Sequence, residues 1–218
     1  MPRRAAKSAA RGGRPSRAEA LRLRERILAA ATDLFFAEGY GLTSIEAVAK
    51  RAAVSKRTFY DRFEDKAALF AAAVHRIIDN IRPPPEIPLV EGANLEDILS
   101  RIAMLILRAA LTPQGLALHR LVNAESARFP ELVRAVASDG GTRMAIEVIS
   151  GVLDREFSAA KLSPENREFA AAQFIVMVVT LPQRRAMGYG LPMTQGELEV
   201  WAGKVARFFL DGCRGLTA

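Results

Sequence analysis

The amino-acid sequence predicts an all-α fold of about nine helices, and three observations carry that reading. Apolar residues recur every three to four positions along most of the chain, the helical period rather than the alternation of strands. Aromatic residues make up 7% of the 218 and β-branched runs are few, whereas alanine is abundant, which argues against a sandwich or barrel of short strands. Several periodic segments also open on a Ser, Thr, Asn or Asp placed to cap a first turn. At 50% hydrophobic and 25% charged, the chain can bury a real core, and wholesale disorder is excluded.

Residues 1–17 hold Arg3, Arg4, Lys7, Arg11, Arg14 and Arg17, no acid, and Gly12, Gly13 and Pro15. They read as a disordered basic arm, either a solvated tail or an arm laid along a DNA groove. A mitochondrial targeting peptide would share the arginines, but no large apolar residue follows Met1 to build its amphipathic helix.

Ser16 and Glu19 form a capping box that opens the first helix, with Leu21, Ile27, Leu28, Ala31, Leu34 and Phe35 on one side and Gly39 placed to end it in a left-handed turn. Thr43 and Glu46 form a second box, opening a short helix to about Arg51 with Ile45, Val48 and Ala49 on one face. Ser55 caps a third short helix bearing Phe59. Asp65 caps a fourth, running through Leu69, Phe70, Val74 and Ile77 to about Arg82.

Pro83, Pro84, Pro85 and Pro88 must break that helix, so a domain boundary is expected at residue 83. Beyond it the pattern predicts helices over 94–111, 114–128, 130–157, 164–188 and 195–212. Ser163-Pro164 and the Thr194/Glu197 box are strong starts. Asp139-Gly140-Gly141 is placed to interrupt the third of these, and Pro182 to kink the fourth.

The net charge of +7 is unevenly placed. Residues 1–66 carry 15 basic and 8 acidic side chains, while the remaining chain carries 16 of each. A neutral domain joined to a basic one suggests that only the first part meets a polyanion, with nucleic acid ahead of an anionic membrane. Residues 43–63 have helix-turn-helix spacing: two short helices joined at Ala52-Ala53, with Ala49 small enough for a close crossing. Ile45, Val48, Val54 and Phe59 fill the angle between the helices. Ser55, Lys56, Arg57, Thr58 and Tyr60 are then left on the first turns of the second helix, the end that enters a major groove in such motifs. The Arg57 fork suits a guanine edge.

Over residues 20–70, the runs TSIEAVAKRA and VSKRTFYDRFEDKAALF resemble the DNA-binding domain of the TetR/AcrR family of bacterial transcriptional regulators. Residues 118–132, LHRLVNAESARFPEL, resemble the AefR-like branch of that family. The resemblance implies an N-terminal three-helix helix-turn-helix domain plus a C-terminal helical ligand-binding and dimerisation domain. The expected division is arm 1–17, reader with connecting helix 18–82 (motif 44–63), and effector and dimer domain 83–218. By position, Thr43 would contact phosphate, Ser44 would also belong to the DNA-binding set, Ser55, Lys56, Arg57 and Thr58 would face the groove, and Tyr60 and Lys66 would grip the DNA backbone. Ala53 departs from the family's usual glycine, which would strain the turn if positive φ is needed there.

The single cysteine, Cys213, fits a reducing cytoplasm, and the family implies a homodimer on a palindromic double-stranded DNA operator, most simply a repressor, released by a small effector. For the dimer, Leu198, Trp201, Val205 and Phe208 supply one apolar seam and Ile175, Val178 and Val179 another. For an apolar or amphipathic effector, Met104, Leu107, Leu121, Phe174 and Met177 are joined by His119, Asn123 and Gln173, a mixture that suits a mostly apolar pocket but equally a core. The helix 65–82 would be the lever between effector and reader.

No catalytic set, cofactor or metal is expected. His119 and Glu125 on one helix lack a nucleophile, Gly188-Tyr189-Gly190 lacks a phosphate-loop context, and one cysteine with two histidines cannot build a structural zinc site. The apolar stretch 174–181, interrupted by Thr180, is eight residues against roughly 20 for a membrane span. The alternative reading is a helical small-molecule-binding protein or enzyme with an incidental basic N-terminal region, which would show no sequence preference on DNA. A third, a peripheral membrane protein held by the arm, lacks the apolar half of such an anchor.

Overall fold

A computed structural model describes residues 16–81, 94–138, 141–156 and 162–214. Among them are ten helices: α1 Arg17–Glu38, α2 Ile45–Arg51, α3 Lys56–Tyr60, α4 Lys66–Ile81, α5 Leu95–Ala110, α6 Pro113–Glu125, α7 Glu131–Ser138, α8 Gly141–Glu156, α9 Pro164–Ala186 and α10 Gln195–Arg214. The stretch expected as one helix over 130–157 is described as α7 and α8, and Asp139 and Gly140, where an interruption is expected, lie outside the described residues. The arm and the proline-rich segment at 83–88 lie outside the described residues, apart from Ser16 and Arg17.

Most ends form as the sequence reading requires. Ser16 and Glu19 exchange both capping hydrogen bonds, the Asp65 carboxylate accepts from the Ala68 amide at 2.7 Å, and Ser163 caps α9 with Pro164 in its first turn. Gly39 ends α1 at φ +88°, although with an extended ψ of 162° rather than a left-handed helical turn. One cap moves by a residue. Ser44, not Thr43, takes the Ala47 amide of α2, while Thr43 is buried and its hydroxyl donates back to the Gly39 carbonyl at 2.7 Å. The helix α9 continues through the buried Pro182.

Two apolar clusters organise these helices, and their boundary is not at residue 83. The first joins Ile27, Phe35, Val48, Phe59, Phe70 and Val74 of the N-terminal helices with Leu118 and Leu121 of α6 and Leu132 and Ala135 of α7. The second gathers α5, α8, α9 and α10 around Leu99, Leu107, Leu153, Phe174 and Phe209. Each long helix is apolar on a stripe, so α6 and α7 lend theirs to the N-terminal bundle, where α7 packs on α4 and α6 on α1. The N-terminal bundle therefore carries part of the C-terminal sequence in its own core.

Candidate nucleic-acid interface

The turn between α2 and α3 is set by Ala52 and Ala53. Ala53 adopts φ +52°, and the Val54 amide reaches back to the Ala49 carbonyl at 2.9 Å. Ala49 and Val48 are buried beneath it and Phe59 is fully buried beyond it, so the two helices cross on small and aromatic side chains. This forces the polar residues of α3 outward.

Ser55 caps α3, accepting from the Thr58 amide, and its Oγ lies 2.8 Å from the Thr58 hydroxyl. Lys56 forms an ion pair with Glu46 of α2. Their hydrogen bond holds the Glu46 carboxyl below the ordinary carboxylate range and the Lys56 ammonium above its usual one. Among the described residues the Arg57 guanidinium has neither an acid nor an acceptor, and its side chain is exposed. Tyr60 is 54% exposed, its ring held edge-on by Phe59 at 5.4 Å. Arg57 and Tyr60 thus share the outer face with a locally paired Lys56. Ser44 is exposed at the start of α2.

Two expected contacts turn inward. Thr43 is 1% exposed, because its short side chain closes the turn after α1. Lys66 reaches the carbonyl oxygens of Tyr40, Gly41 and Thr43 at 2.9, 3.4 and 3.1 Å, with its ammonium 4.4 Å from the centre of the Tyr40 ring. An ammonium with three carbonyl acceptors inside the fold clamps the turn after α1.

The same segment has a partner that sequence reasoning missed. Glu125, at the end of α6, accepts from the Tyr40 amide at 2.6 Å and the Gly41 amide at 2.7 Å. The Tyr40 hydroxyl donates to Glu131 at 3.1 Å; burial, then this bond, raises the phenol's pKa and keeps it a donor. Phe129 packs edge-on against Tyr40 at 5.0 Å. The available signal was Gly39-Tyr40-Gly41, since a Cβ on either glycine would press on Glu125.

The residues expected around an effector divide between the two clusters. Leu107 and Phe174 are fully buried in the second cluster, Met104 and Met177 pack against it, Leu121 belongs to the first, and Gln173 is exposed. His119, whose pKa burial lowers, is satisfied by Asn123 at 2.7 Å. The apolar stripes meet other helices. An open groove of about 950 Å³ lies instead between α6, α7, α8 and the start of α9. Val122, Val133, Val136 and Ile146 form its apolar wall, with Arg143 and Arg167 on its lining.

The expected dimer seam also divides. Val178 and Val205 are buried in the second cluster, and Ile175, Val179, Leu198 and Trp201 pack against it, Trp201 donating to the Val178 carbonyl at 3.0 Å. Helices α9 and α10 use that face against each other and α5. Of the seven, Phe208 alone is markedly exposed, and the other outward apolar residues on these helices include Phe169, Val176, Leu181 and Val200.

Comparison with known proteins agrees with this arrangement. The bacterial regulatory proteins of the tetR family match over residues 27–73, and the AefR-like transcriptional repressor C-terminal domain over 97–212. A tetR-family transcriptional regulator from Mesorhizobium loti is 28% identical and superposes with a TM-score of 0.71, covering 91% of this chain and 98% of that one. The flavonoid-responsive regulator FrrA is 29% identical with a TM-score of 0.72, covering 88% and 96%. The transcriptional activator FasR of Mycolicibacterium smegmatis is 36% identical over 58 residues, 27% of this chain and 26% of its own length. The chain thus spans about a quarter of that curated relative. With the second match alone covering more than half of its length, the chain belongs to the tetR family of bacterial regulatory proteins, as a DNA-binding transcriptional regulator and not an enzyme.

Proposed function

We propose that the protein is a cytoplasmic homodimeric repressor that binds a palindromic operator and releases it when a small amphipathic molecule occupies the C-terminal half. The observation that carries the reading is the outer face of α3, where Arg57 is exposed without an acid partner beside an exposed Tyr60. An unpaired guanidinium on a reading helix keeps its fork for a base edge. The outward row of Phe169, Val176, Val200 and Phe208 on α9 and α10 is the surface for a second copy, which would set two reading helices about one DNA turn apart or a multiple of it.

For the effector the groove between α6 and α9 replaces the residues first expected. Its apolar wall and charged lining suit an amphipathic molecule, and the likeness to FrrA makes flavonoids the first compounds to test. The AefR-like repressor match favours repression, whereas the short match to FasR keeps activation as a second reading. The test is selection of bound sequences from random DNA. A palindrome is expected, with Arg57→Ala costing about 1–3 kcal/mol of discrimination at one base pair. Binding without sequence preference would refute the reading. Release by flavonoids, and a dimer in sedimentation, are checked on the same material.

A further inference from the structure

Glu125 sits where local electrostatics disfavour it. It is the last residue of α6, a helix with no basic residue in its last turn, so its charge faces the negative end of the helix dipole. The carboxylate instead spans to the segment joining α1 to α2, each oxygen taking one backbone amide, of Tyr40 and of Gly41. Lys66 takes the carbonyls of the same segment from α4. An anion on the N–H side and a cation on the C=O side pin both halves of these peptide dipoles. The approach is close. A Cβ on Gly39 would lie 2.5 Å from one Glu125 oxygen, and one on Gly41 would lie 3.1 Å from the other and from the Phe129 ring.

The pinned segment runs directly into Ser44, the cap of α2, and α2 holds α3 through the Ala49–Val54 hydrogen bond and the Glu46–Lys56 pair. We propose that Glu125 is a positioning residue for DNA reading: from the C-terminal half of the chain it fixes the orientation in which α2 and α3 are presented. It touches no DNA. It acts by holding Tyr40 and Gly41, so movement of α6 moves the reading helices with it. This role needs only that α3 reads DNA, and it stands whether or not the groove binds an effector.

The test uses the full-length protein on a DNA sequence selected by the wild type, at a temperature where every variant is folded. Glu125→Gln keeps the size but replaces one oxygen by an NH2 group, so it cannot present a separate acceptor to each of the two amides. The expected result is about tenfold weaker binding, with faster hydrogen exchange at Tyr40 and Gly41 and unchanged exchange in α9 and α10. A merely structural Glu125 would lower the melting temperature and leave the affinity of the folded protein alone. That result overturns the proposal, as does unchanged exchange at the two amides. Gly41→Ala perturbs the contact from the opposite side, at a residue without positive φ, and decides the matter if Glu125→Gln does not fold. It should weaken binding similarly, and wild-type affinity in that variant would overturn the proposal.

Discussion

Replacing Lys66 by methionine separates two roles for one ammonium. A side chain gripping phosphate and a side chain clamping a loop both weaken DNA binding when lost, but they differ in what else changes. Each hydrogen bond to a charged group contributes about 1.5–3 kcal/mol when well made, and a cation over an aromatic ring adds about 0.5–1 kcal/mol at partly exposed sites. Lys66 has three carbonyl acceptors and the Tyr40 ring, but it is half-buried and water replaces part of what is lost. A net loss of roughly 2–3 kcal/mol follows, which for a chain of this size lowers Tm by about 4–12 °C. Methionine keeps the apolar stem, so the loss is chiefly that of the ammonium. A lysine on phosphate would instead leave Tm nearly alone and reduce the salt slope of log K by about 0.9 per protomer. The assays are calorimetry and operator titration over a range of salt. We expect a lower Tm, weaker binding and an unchanged salt slope. A wild-type Tm with a slope reduced by about 1.8 per dimer would refute the clamp and restore Lys66 to the DNA backbone.

Other perturbations test the remaining structure. Leu132→Ala, in α7 but fully buried in the N-terminal cluster, should cost about 2–5 kcal/mol in urea unfolding and weaken DNA binding, whereas a purely C-terminal role would spare the DNA. Ala53→Gly should raise stability by up to about 1 kcal/mol, because relief of the +52° backbone outweighs the added freedom of the unfolded chain; a loss of stability would contradict that geometry. The Cys213 thiol is buried and its pKa is pushed up to about 11 by desolvation, so at pH 8 it should react with a disulfide reagent only as fast as the protein opens. Rapid modification of the native protein would show α10 packed more loosely than described.

What was legible in the sequence was whatever depends on near neighbours. The caps at Ser16, Ser55, Asp65 and Ser163 are settled within four residues and all were readable, whereas positive φ at Ala53 entered only as a condition, through the family's usual glycine. Thr43 and Ser44 are two adjacent hydroxyls, and only the burial of the first decides which of them caps α2. The partners of Lys66 and Glu125 were hidden for another reason. Their partners lie 23–26 and 84–85 positions away, and nothing in a charged side chain's identity says whether a carbonyl, an amide or a phosphate will meet it. Leu107, Phe174 and Val178 show the same limit for apolar residues: an amphipathic stripe announces a buried face, but a neighbouring helix and a ligand bury it alike.

The shared core also constrains how the two halves can communicate. Pulling the N-terminal bundle away from α6 and α7 would expose Leu118, Leu121 and Leu132, each worth about 1.5–3 kcal/mol, and would strip Glu125 and Glu131 from their donors. The coupling energy of a small effector is typically about 1–3 kcal/mol. It falls short of that separation, so an effector in the groove cannot work by detaching the reader. Because α4 packs on both α1 and α7 within the same cluster, a tilt of α4 would carry those helices with it. The economical motion keeps α1–α4, α6 and α7 together and slides this body against α5, α8, α9 and α10, across the boundary between the two clusters. The groove straddles that boundary, with Val122, Val133 and Val136 on one side and Ile146, Ser150 and Arg167 on the other. On the proposed reading, a molecule bound there would act at that seam, and the reading helices would move with the wall to which they belong.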